Sequence, residues 1–192
     1  NDSYGMKCRF YTAEILLNKK DYAGADKLFA EVEKNSFDKV LAEHGSYRRA
    51  EVFYLANQFD EAAQRFVSYR KKYPNGIYAD SALYFNGESL KRLNKIDNAI
   101  LCYEVLVQQF SKSTFKFSAL AELVLLYKEK QEYEAALKTA NQLMKENRQQ
   151  ALLSDMDSHI RDLEALTLDV NQRISELESK YQKAGEVKTV TG

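Results

Sequence analysis

The strongest constraint on this chain is a spacing of 37 residues. Ala25, Ala62, Ala99 and Ala136 stand at that step, and four further columns keep it. Three residues before each alanine are Tyr22, Phe59, Ile96 and Tyr133, and four after it are Phe29, Phe66, Tyr103 and Ala140. Nine before are Leu16, Phe53, Leu90 and Tyr127; twelve before are Ala13, Ala50, Gly87 and Val124. Self-similarity at a period of this length is the signature of a solenoid, in which each supersecondary unit buries its apolar face only against its neighbours. One proline and seven glycines among 192 residues, 45% of them apolar, fit a packed and mostly helical body.

Within each period the apolar spacing predicts two helices, A and B. Met6, Phe10, Ala13, Leu16 and Leu17 follow the steps of three and four of an amphipathic helix. The polar run Asn18-Lys19-Lys20-Asp21 breaks that pattern, and Asp21 can accept hydrogen bonds from the free amides of the next helix. Helix B continues through Ala25, Leu28, Phe29 and Val32. Repeats are expected at about 4–36, 37–74, 75–111 and 112–147, all within a domain spanning 1–147. Pro74-Asn75-Gly76 is the strongest turn signal: proline cannot continue the helix, and glycine is expected to supply a positive φ. The small alanine column lets B approach A closely, while the aromatic column before it fills the closed end of the hairpin. Gly87 costs about 1 kcal/mol in mid-helix against alanine, which predicts a neighbouring helix crossing there.

Charge and chemistry narrow the function classes. With 28 basic and 28 acidic residues interspersed, nothing argues for nucleic acid or an anionic membrane. No apolar run approaches the roughly 20 residues needed to cross a bilayer, so direct membrane insertion is not expected. His44 and His159 are the only histidines, no cysteine–histidine cluster has metal-ligand spacing, and no phosphate loop or nucleophile motif is present. No metal or cofactor is expected. Cys8 and Cys102 lie two repeats apart, too far for a disulfide, with Cys8 expected to pack as a small apolar residue and Cys102 to be partly exposed. Glu14, Glu51 and Glu88 recur at the period, and a repeating carboxylate is more simply a groove-lining residue than half of an acid–base pair. The chain is expected to be non-catalytic.

These columns carry a resemblance. The repeats resemble tetratricopeptide repeats, and Tyr73-Pro74, Ala79, Ala82 to Glu88, Ala99, Tyr103 and Phe110 are similar to the subclass in two bacterial envelope proteins, the Tol-Pal-associated periplasmic repeat protein and the lipoprotein of the β-barrel assembly machinery. The resemblance covers about residues 4–147. It implies an all-α, right-handed solenoid of four hairpins; the long C-terminal helix after them departs from the family pattern and is read from the residues that follow. It also implies a protein–protein interaction scaffold with a protein or peptide partner, in a periplasmic or outer-membrane-associated complex. The usual repeat length is 34 residues, not 37, and the Tol-Pal protein carries its coiled coil before the repeats.

After the repeats the period changes. Leu153, Met156, Ile160, Leu163, Thr167, Val170, Ile174, Leu177 and Tyr181 alternate steps of three and four over about four heptads. A single helix over 148–183 would reach on the order of 50 Å at 1.5 Å per residue. Two readings stand: a helix that caps the last repeat, or a coiled coil in which Met156, Ile160, Leu163, Val170, Ile174 and Leu177 assemble a homodimer as a structural spacer. Arg173 would face Glu178 of the second chain in a parallel pair. Residues 184–192 have no pattern and are expected to form a disordered tail.

In stacked hairpins the A helices line the concave surface, and three columns fit its stripe: Phe10, Tyr47, Tyr84 and Ala121; Glu14, Glu51, Glu88 and Leu125; Leu17, Tyr54, Lys91 and Lys128. Phe10 is expected in the core. Tyr47, Tyr54 and Tyr84 are expected at the groove because a phenol pairs an apolar ring with a polar handle. With Glu51, Glu88, Lys91 and Lys128 they make a candidate surface for a segment that carries both apolar and charged groups.

Overall fold

The computed structural model describes residues 3–153 and 155–190, with side chains for all of these except 3, 150 and 181–190. Among the described residues there are ten helices and no strand. The A helices are α1 (Ser3–Asn18), α3 (Lys39–Leu55), α5 (Ala79–Arg92) and α7 (Lys116–Glu129), and the B helices are α2 (Tyr22–Asn35), α4 (Phe59–Lys72), α6 (Ile96–Gln109) and α8 (Tyr133–Glu146). Two more follow, α9 (Arg148–Leu153) and α10 (Met156–Val190). The chain divides into two compact units, residues 1–119 and 120–192.

The joint inside each hairpin repeats like the columns do. Lys20, Asn57, Asn94 and Gln131 each adopt a positive φ, between 57° and 62°. At every one the same two hydrogen bonds close helix A: Lys20 N–H to the Leu17 carbonyl and Asp21 N–H to the Leu16 carbonyl in the first, and their counterparts at 57/58, 94/95 and 131/132. A left-handed residue there satisfies the last carbonyls of the helix and turns the chain back. Asn suits the conformation; Lys20 and Gln131 adopt it because the hairpin on either side fixes it. Asp21 caps α2 as expected, its side chain accepting from Gly24 N–H at 3.0 Å.

The turn between repeats corrects one expectation. None of the described glycines has a positive φ, Gly76 included. Glycine is needed at 76 for space instead. A Cβ there would lie 2.3 Å from Glu43 Oε1 and 2.6 Å from the Tyr69 hydroxyl. Those two groups are bonded to each other at 2.7 Å, and Ile77 N–H donates to the same carboxylate oxygen at 2.7 Å, so the turn is folded around Glu43.

In residues 1–119 each helix packs on the next, α1 through α6, and α1 meets α3 as α3 meets α5. Ala25, Ala62 and Ala99 are fully buried, with Phe29, Phe66 and Tyr103 beside them. Gly87 is where a neighbour crosses, as the sequence implies: a Cβ would stand 2.6 Å from the Tyr103 ring. In residues 120–192 α10 lies against α8, and Ala136, Ala140, Leu143, Met156 and Leu163 are buried.

Three expectations about the C-terminal part change. The single helix from 148 is broken, because Asp155 has a φ of 48° between α9 and α10. The stretch expected as a tail is helical to Val190, while residues 191 and 192 lie outside the described residues. Arg173 lies 3.2 Å from Asp169 of its own helix, so it is engaged within α10. Cys8 is exposed, not packed, because none of the described residues covers its face of α1; Cys102 is half-buried, and both are free thiols.

Candidate functional site

The A-helix face of α3 and α5 starts from charges that the fold brings together. Arg48 holds Glu14 across the gap between α1 and α3, its Nε donating to Glu14 Oε1 at 2.6 Å, and it also pairs with Glu51 one turn along its own helix. Burial pushes the Glu51 carboxyl above its usual range, and the Arg48 charge pulls against that shift. One repeat on, Glu88 Oε1 accepts from the Tyr103 hydroxyl at 2.5 Å and from Lys91 Nζ at 2.9 Å. The carboxylate row therefore follows the period, but its cations do not: Arg48 serves both Glu14 and Glu51, and Lys91 serves Glu88.

The aromatic residues divide. Tyr47 is 4% exposed, stacked on Tyr78 with ring centres 4.3 Å apart and set against Phe66 and Tyr69. It is core, which corrects its assignment to the surface. Tyr78, the last residue before α5, closes over it; that lid cannot be seen from a helical-face argument, since it comes from a turn. Tyr84 is half-buried in the same way under Phe115, 4.8 Å away. Tyr54 is half-buried too, with Phe85 at 5.1 Å and Phe59 at 5.9 Å. Burial raises its phenol above the usual value, and Glu88, Arg92 and Lys91 lie close enough to act on it. The structure thus joins Tyr54, Glu88 and Lys91, and it adds Phe85 and Arg92, whose guanidinium lies 5.9 Å from the Phe59 ring centre. Lys128 belongs to residues 120–192, where it lies 3.1 Å from Asp162 of α10.

A second surface, absent from the sequence reading, is a groove of about 710 Å³ along α4 and α6. Its wall carries exposed Val67 and Leu101, and its floor carries Asn86 and Cys102. Asn86 is buried with its amide 3.4 Å from the Cys102 sulfur. Burial pushes that thiol up to about 11, against the pull of Arg70. Among the described residues no group of three or more His, Cys, Asp or Glu could hold a metal ion.

Of the residues expected to oligomerise, Met156 and Leu163 are buried and Ile160 is half-buried, while Val170, Ile174 and Leu177 are exposed. The first two turns of α10 cap α8. The later ones leave an apolar stripe in solvent.

Against known proteins, residues 45–76 match the tetratricopeptide repeat. Solved structures extend that likeness to most of the chain. The fold is a tetratricopeptide-like solenoid. MamA from Desulfovibrio magneticus RS-1 is 15% identical, covers 85% of this chain and 96% of its own, and superposes with a TM-score of 0.61. A putative kinesin light chain with nearly identical TPR-like repeats from Podosopora anserina is 10% identical, with 93% and 99% covered and a TM-score of 0.63. BtubC from P. vanneervenii is 15% identical, with 87% and 78% covered and a TM-score of 0.62. No curated protein matches the chain in sequence. At these identities the likeness is one of fold, and it does not reach the envelope subclass.

Proposed function

We propose that the chain is a non-catalytic scaffold that holds a segment of a protein partner on the A-helix face of α3 and α5. The tetratricopeptide-like fold supports the scaffold reading. The observation that carries the place is the cluster of Tyr54, Phe85, Glu88, Lys91 and Arg92, where half-buried aromatic rings lie beside charges of both signs. Apolar anchors with a charged rim are how a partner segment is gripped and oriented. The site accepts a helical or extended segment with one or two apolar side chains flanked by charge. Changing Tyr54 and Arg92 together to alanine should weaken capture of the partner by about 2 kcal/mol, near thirtyfold, with the helical signal retained. A variant that folds and binds normally would move the site elsewhere. Location in a bacterial envelope complex is part of the same proposal and rests on the resemblance of residues 73–110; cell fractionation tests it, and recovery in the cytoplasm would remove it.

A second reading, self-association through α10, is favoured by the exposed stripe of Val170, Ile174 and Leu177. Sedimentation of the intact chain tests it, and a monomer at every concentration would end it.

A further inference from the structure

The repeat register singles out a face of α1 that the described residues leave exposed. In α3, Gly45 and Val52 are buried against the B helix before them: a Cβ at Gly45 would stand 3.1 Å from both the Phe29 carbonyl and the Glu33 amide of α2, and Val52 packs with Ala25 and Phe29. In α5 the corresponding Ala82 packs with Phe66 and Tyr69 of α4, and Ser89 is fully buried. Tyr78, which leads into α5, closes over Tyr47 of the preceding A helix. One period before Gly45 and Val52 stand Cys8 and Ile15, and two periods before Tyr78 stands Tyr4. All three are exposed, Tyr4 at 82% and Ile15 at 54%, and Tyr11 between them is 65% exposed. Steps of four, three and four place them on one stripe of α1. This face is built to receive a helix, and a helix receives it in every later instance within residues 1–119.

A matching surface exists elsewhere on the chain. The helices that cover this face do so with apolar residues at steps of four and three: Ala25, Phe29 and Val32 in α2; Ala62, Phe66 and Tyr69 in α4. On α10, Val170, Ile174 and Leu177 repeat those steps in solvent. Val170 and Ile174 also line a groove of about 460 Å³ between α10 and the start of α8, with Tyr133, Glu134 and Asn171. The charges are complementary. Along α1 and its turn stand Lys7, Arg9, Lys19 and Lys20 against Glu14 and Asp21, whereas residues 164–180 of α10 carry Glu164, Asp169, Glu176 and Glu178 against Arg173 and Lys180.

We propose that the exposed face of α1 seats in the α8–α10 groove of a second copy of this chain. The proposal rests on the self-association reading and names the surface that α10 meets: α1 of another molecule, not another α10. Because donor and acceptor are different patches, each contact leaves one free patch at either end, and copies add head to tail until a ring closes or a filament grows. The interface is one helix deep, which puts it at the small end for protein contacts and makes assembly grow with concentration.

The test is sedimentation velocity of the intact chain and of two double variants on exposed positions, Tyr11→Glu with Ile15→Glu, and Val170→Glu with Ile174→Glu. Circular dichroism checks that each variant remains folded. The intact chain should pass beyond dimer as concentration rises, and each variant alone should remain monomeric. An equimolar mixture of the two should form a dimer that grows no further, because only one intact pair of surfaces is left between them. If the α1 variant assembles like the intact chain while the α10 variant does not, α10 pairs with itself and this proposal falls while self-association survives. An intact chain that is monomeric at all concentrations sinks both. A mixture that stays monomeric, although the intact chain assembles, also overturns the α1–α10 contact. Should the α10 variant fold poorly, the single change Ile174→Glu takes its place in the same mixture.

Discussion

The face of α3 that lies on α2 and the equivalent face of α1 share one register, yet the first is core and the second is solvent. Their residues differ less than their surroundings do. Gly45 of α3 and Cys8 occupy one column, both small, with Ala82 of α5 one period on; Val52 and Ile15 occupy another, both branched and apolar. What separates them is the helix that lies across one and not the other. Burial in a repeat protein is thus a property of the neighbour as much as of the residue.

The sharpest break of that comparison is one substitution made twice. Ala82→Asp places an unpartnered charge against Phe66 and Tyr69 and should cost about 3–5 kcal/mol, enough to melt the central hairpins. Cys8→Asp, one period apart twice over, should shift stability by less than about 0.5 kcal/mol. Chemical denaturation of both variants measures the pair, and similar losses would mean that the α1 face is covered in solution. Next in size is Gly45→Leu, expected to cost about 1–3 kcal/mol, because the nearest atoms to a new Cβ are backbone and cannot swing away.

A smaller effect concerns charge across the covered face. Arg49 of α3 bridges Asp26 at 2.8 Å and Glu33 at 3.0 Å on α2. Burial alone would raise the Glu33 carboxyl, but hydrogen bonds from Arg49 and Ser46 and the Lys72 charge outweigh it and hold it below the usual value of 4.5. A depressed carboxyl contributes stability that is present above its unfolded value and lost as the pH falls through the folded one. Glu33→Gln should therefore cost about 1 kcal/mol at neutral pH and flatten the loss of stability below about pH 4.5. Denaturation at pH 7 and pH 3 checks this, and an unchanged acid limb would remove Glu33 from the account. The smallest effect leaves stability untouched: at pH 8 a thiol reagent should modify Cys8 quickly and Cys102 at least tenfold more slowly, since burial pushes the Cys102 thiol up to about 11.

The helical pairs and their columns were legible because the period repeats one physical demand: small residues where B meets A, and large ones beside them. The four joints at 20, 57, 94 and 131 were less legible, since lysine and glutamine there carry no turn signal of their own. Tyr47 was misplaced for a related reason. Helical spacing puts it on the same stripe as Tyr84 and Glu51, and only the path of the turn through Tyr78 shows that a second ring lies over it. Arg48 could have been found by asking which cation stands one turn from Glu51 on the same helix. The reach of Arg48 to Glu14, 34 residues away, belongs to the stacking of α3 on α1 and is not written in either helix.

The shared joint also bears on how such a chain changes length. Each hairpin turns at its middle through the same backbone setting, so residues 58–94 can be excised and Asn57 joined to Lys95 with the left-handed residue and its two closing bonds still in place. The fold reads a gain or loss of 37 codons as one more or one fewer module. Loss of a number that is not a multiple of 37 would break the register from joint to joint, so the grammar of the turn sets the unit in which this molecule can grow.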